Sequence, residues 1–63
     1  MRNPDRIKPF LERLGNVWEE NASDWRFGQL MSNVLNLMDI DPFFVEDDEM
    51  IEYFENYFSK EEK

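Results

Sequence analysis

The sequence predicts an all-α fold, a compact three-helix domain, on three observations. Apolar residues recur at helical spacing in three separate stretches, over residues 5–20, 25–38 and 47–59. A polar cluster, Asn21, Ala22, Ser23 and Asp24, and a rigid Asp41-Pro42 step fall between those stretches. No segment alternates apolar and polar residues in the manner of a strand.

In the first stretch Ile7, Phe10, Leu11, Leu14, Val17 and Trp18 share one stripe, which assigns Trp18 to the core. Lys8, Glu12, Arg13, Asn16, Glu19 and Glu20 take the opposite face. Asn3-Pro4 reads as a cap followed by a first-turn proline. Deep in a helix Pro9 would remove a hydrogen bond and clash with the preceding turn, so the regular helix is expected to start near Arg6. Gly15 weakens the middle by about 1 kcal/mol relative to alanine, an expense that would be explained by another backbone passing close.

Asp24 is a good N-cap for the second stretch, its charge suited to the positive end of the helix dipole. Phe27, Leu30, Met31, Val34, Leu35, Leu37 and Met38 give this helix the broadest apolar face in the chain, which argues for a central position. Its other face is unusual. From Phe27 to Met38 there is no charged residue; the outward positions are Gly28, Gln29, Ser32, Asn33 and Asn36. In a chain so rich in charge, a solvated face would carry Glu and Lys. Charged residues are depleted at interface cores, so Gln29, Ser32, Asn33 and Asn36, with Trp25 beside them, are the candidate partner-binding residues. The competing account is that the Phe43-Phe44 loop or Trp25 covers this face. Arg26 is expected to pair with a carboxylate or a helix C-terminus.

Asp41-Pro42 leads into Phe43, Phe44 and Val45, and at least one of the two aromatics is expected to fold onto the core, since consecutive exposed apolar residues are costly. In the third stretch Met50, Ile51, Phe54 and Phe58 face inward, with Tyr53 and Tyr57 on a flank. Glu46, Asp47, Asp48 and Glu49 crowd the beginning of this helix, where the dipole favours anions. If Glu46 is the cap, Val45 is placed to staple onto Met50.

Composition bounds the rest. Residues 1–60 form one domain, with 61–63 a charged tail, near the lower size limit for independent folding. With no Cys there is no disulfide, and with no Cys or His the usual zinc sites are excluded. Stability must come from packing, for which two Trp, two Tyr and six Phe supply the apolar area. No apolar run is long enough for a membrane span, and no secretory signal follows Met1, so a cytoplasmic protein is expected.

The net charge is −8. Residues 1–26 are neutral, so all of it falls on the later part of the chain, as an acidic lobe. Such a lobe repels nucleic acid and anionic membrane and attracts basic proteins. No Cys or His nucleophile pair, nucleophile elbow or phosphate-cradling glycine loop is present, so no catalytic residue, cofactor or small-molecule substrate is expected. The acids Asp39, Asp41, Glu46, Asp47, Asp48 and Glu49 suit a hard cation by chemistry but lack EF-hand spacing, and read better as decoration of a helix N-terminus. Arg2, Arg6 and Lys8 form a small basic patch, expected to pair with the acidic lobe.

Three stretches together, Arg2-Asn3-Pro4-Asp5-Arg6-Ile7, then Trp18 and Asp24-Trp25-Arg26-Phe27-Gly28-Gln29-Leu30, then Asp41-Pro42-Phe43-Phe44-Val45-Glu46-Asp47-Asp48-Glu49, resemble a group of small proteins of Firmicutes and of their phages and mobile elements. The resemblance covers most of the chain. Ser23 stands where that group's pattern has proline, which changes the turn and leaves the cap. No activity comes with the resemblance.

Two functional expectations follow. The first is a non-catalytic protein that binds another protein, or a second copy of itself, through the second helix. The second is an acidic inhibitor from a phage or mobile element that imitates nucleic acid and occupies a basic groove, using Glu46, Asp47, Asp48, Glu49, Glu52 and Glu55.

Overall fold

The computed structural model describes residues 2–59; the expected 61–63 tail lies outside the described residues. The architecture is the expected three-helix one, without strands among the described residues: α1 (Ile7–Asn21), α2 (Phe27–Leu35) and α3 (Asp47–Ser59), with short 3₁₀ turns at Pro4–Arg6 and Pro42–Phe44. No helix among the described residues is long and apolar enough to cross a membrane.

The chain enters α1 through the Pro4–Arg6 turn, which Asn3 caps by accepting a hydrogen bond from the Asp5 amide at 2.9 Å. Pro9 is then the third residue of α1, where its missing N–H costs no intrahelical bond. At the far end the Asn21 side chain donates to the Val17 carbonyl at 2.9 Å, and the Trp18 indole donates to the Trp25 carbonyl at 3.1 Å. These two bonds fix the exit of α1 against the short link to α2.

That link runs further than the sequence suggested, and α2 is shorter at both ends. Trp25 and Arg26 precede the helix; Arg26 is extended, with φ −75° and ψ 157°. Asp24 is therefore not the cap. The cap residue is Arg26, and the Gln29 side-chain oxygen reaches back to accept from its amide at 2.8 Å, half of a capping box. Arg26 itself makes no ion pair among the described residues. Beyond Leu35 the chain tightens: the amides of Leu37 and Met38 bond three residues back, to Val34 and Leu35, and Leu37 is left 60% exposed.

The core is small and dense. Leu30, Val34, Ile51 and Phe54 are all at most 2% exposed, with Leu14 and Val17 beside them. Two of these residues come from each helix. Each fully buried side chain contributes about 1.5–3 kcal/mol, which is how a chain of this length holds together without staples. Three exposed ion pairs add direction. Arg2 and Glu46 meet at 2.8 Å, Arg13 and Glu55 at 2.7 Å, and Arg6 and Asp47 pair between them. The partners advance together along both segments, so α1 and α3 run parallel and α2 returns between their ends.

The packing makes α3, not α2, the central element. α1 lies along α3, α2 touches α3 more lightly, and α1 and α2 touch each other least. The physical reason is length: the nine residues of α2 span about 13 Å and cannot cover the apolar stripe of the fifteen-residue α1. Part of that stripe stays open, with Ile7 45% and Leu11 55% exposed. Gly15 is not a close-approach position either, since a side-chain Cβ built on it meets nothing within 4 Å.

Candidate interaction surface

The uncovered side of α1 and the adjoining side of α2 enclose a groove of about 320 Å³. Leu11 and Leu14 form one wall, Phe27, Met31 and Leu35 the other, and Met50 and Phe54 of α3 the floor. One charged residue, Asp47, reaches the groove, and its carboxylate is already paired with Arg6. The groove is therefore both apolar and electrically matched. Sequence reasoning placed its residues in the core because helical periodicity identifies an apolar stripe without saying how much of the stripe a neighbour covers.

Around α2, Gly28 and Ser32 stand next to the groove, followed by Asn36, Gln29 and Asn33 across the outer face. Gln29, Ser32, Asn33 and Asn36 are all exposed. Neither the Phe43-Phe44 loop nor Trp25 covers them. Gln29 has a second task that the sequence reading did not assign, since its oxygen caps the helix. Asn36 ends the helix, as its C-cap. Trp25 is half-buried: its ring meets Tyr57 edge-on at 6.4 Å and Phe58 at 5.8 Å. It braces the link against α3. Trp18, half-buried against the core as expected, packs on Phe27 at 5.7 Å.

Contrary to expectation, neither Phe43 nor Phe44 folds onto the core. Phe43 is 83% exposed and Phe44 73%, with the two rings edge to face at 5.0 Å. The residue that turns inward is Val45, at 9%. The cause is the local turn. Asp41 accepts from the Phe43 amide at 3.0 Å and Pro42 fixes the next step, so the turn is set by local geometry and leaves only one of three apolar side chains on the inner side. This aromatic pair on a braced turn follows the groove-lining Pro42 and holds the two most exposed large apolar side chains among the described residues.

The acidic residues are divided. Glu46, Asp47 and Glu55 are each tied to an arginine from the N-terminal part of the chain, as expected for Arg2 and Arg6, while Lys8 makes no ion pair among the described residues. Arg2, by hydrogen bond and charge, holds the Glu46 carboxyl below its ordinary value of 4.5. Asp48, Glu49 and Glu52 have no ion-pair partner among the described residues. Among those residues no three carboxylates converge closely enough to hold a metal ion.

No protein-family model, curated protein or solved structure matches this chain.

Proposed function

We propose that this chain is a non-catalytic cytoplasmic contact protein that docks onto protein through α2 and the groove beside it. The observation that carries this reading is the continuity of an uncharged polar face with an apolar groove. The outer face of α2 holds no charge in a chain with 35% charged residues. It runs by way of Gly28 and Ser32 into an apolar groove whose single carboxylate is already neutralised. An uncharged polar face continuous with an apolar recess fits the depletion of charge at interface cores, and the helix-groove arrangement is a common mode of recognition.

The alternative, an acidic decoy for a basic nucleic-acid-binding groove, draws on Asp48, Glu49 and Glu52. It is the weaker reading, because the arginines of the N-terminal part occupy Glu46, Asp47 and Glu55 and reduce the field the lobe presents.

The two separate by position. A photo-crosslinker placed at Ser32 in the native cell should capture protein, and Asn33→Arg should abolish that capture while the circular dichroism spectrum stays unchanged. A crosslinker at Glu52 should capture nothing. Capture at Glu52 and none at Ser32 would reverse the assignment.

A further inference from the structure

We infer that the occupant of the α1/α2 groove is a second copy of this chain, which inserts its Phe43-Phe44 pair while receiving the first copy's pair in return. This deepens the docking role proposed above and rests on it.

The groove calls for an uncharged occupant. Of the acids without an ion-pair partner among the described residues, Asp48, Glu49 and Glu52 belong to α3 and none lines the groove, and the one acid that does line it, Asp47, is matched by Arg6. Nothing there recruits a basic partner. What the recess selects is apolar and preferably aromatic bulk, because Phe27 and Met31 line it and both kinds of side chain favour aromatic contact. The chain carries such a group on its own surface. Phe43 and Phe44 project at 83% and 73% exposure, on a turn already fixed by Asp41 and Pro42, so docking them sacrifices little further conformational freedom.

The geometry also closes. Pro42 lines the groove and immediately precedes the aromatic pair, so recess and projection are neighbours. A two-fold axis near Pro42 lets each copy fill the other's recess and leaves no free projection to propagate a chain of copies. The area is adequate. At about 200 Å² for a fully exposed large apolar side chain, Leu11, Phe27, Phe43 and Phe44 alone present on the order of 500 Å². The half-buried Phe10, Met31 and Leu35 extend the patch toward the ~800 Å² that each partner of a stable dimer covers.

Each copy carries −8, so the pair forms against mutual repulsion and should tighten as salt screens it. A basic partner on the acidic lobe would behave in the opposite way.

Sedimentation equilibrium on the full chain tests this. The mass should rise with concentration to a limit of twice 7.7 kDa, with the dissociation constant falling as salt is raised. The double variant Phe43→Ser/Phe44→Ser should weaken association at least tenfold, and so should Leu11→Glu, each keeping the wild-type circular dichroism spectrum because all three positions are exposed. Mixing the two variants should restore a pair, since one retains the recess and the other the projection. A mass that stays at 7.7 kDa at every concentration, a dimer indifferent to both variants, a mixture that remains monomeric, or an open series of larger species would each overturn the exchange. A monomeric chain that still captures a different protein through Ser32 would overturn self-association and leave the docking role standing.

Discussion

Taken one side chain at a time, stability rests on a few buried groups. Leu30 is fully buried, and Leu30→Ala should cost about 3 kcal/mol by lost transfer energy and cavity formation. That is a large share of the ~3–9 kcal/mol expected for this length, so urea titration should show either a much lower midpoint or a chain unfolded in water. Gly15 lies at the opposite extreme. It is exposed inside α1, its φ is not positive, and nothing crowds a Cβ. Gly15→Ala should stabilise by about 1 kcal/mol, raising the melting temperature by roughly 4–8 °C; no gain would mean that α1 is not regular there.

Glu46 supplies a pH dependence with a definite sign. Its carboxyl is held below 4.5 in the fold by Arg2, so the pair's contribution is complete above 4.5 and is lost as pH falls through the lowered value. Thermal melts of wild type and Arg2→Ala should differ at neutral pH, and the difference should shrink on acidification below 4.5. The contribution is small because both side chains face water.

Among the helices, α2 is the element whose ends decide the surface. Gln29 both faces outward and caps the start, so Gln29→Ala should remove about 1 kcal/mol of helix stability. Hydrogen exchange would show it as faster exchange confined to the first turn of α2. The same residue illustrates what the sequence made legible. Helical periodicity was enough for three helices, for the inward Leu30, Val34, Ile51 and Phe54, and for the late start imposed by Pro9. It was not enough for the cap, because Asp24 is the better residue type while Arg26 has the extended backbone and the Gln29 partner. Nor did it reveal the groove or the outward Phe43 and Phe44. Both depend on how far a neighbouring helix reaches and which way a turn points, and those are tertiary facts. The charge-free side of α2 was legible from composition, since a missing charge needs no coordinates to be seen.

Across the assembled chain, three features combine. A small core is closed mainly by α1 on α3, a short α2 leaves apolar surface uncovered beside its uncharged face, and α3 carries Asp48, Glu49 and Glu52 without ion-pair partners among the described residues. Contact is thereby directed to one side and repulsion to another. The most direct test is to follow backbone amide chemical shifts by NMR while the protein concentration is raised. Concentration-dependent shifts should cluster at Leu11, Phe27, Met31 and the Pro42–Phe44 turn, with Asp48, Glu49 and Glu52 unmoved. Shifts centred on Asp48, Glu49 and Glu52, or none at any concentration, would contradict the self-association inferred for this protein.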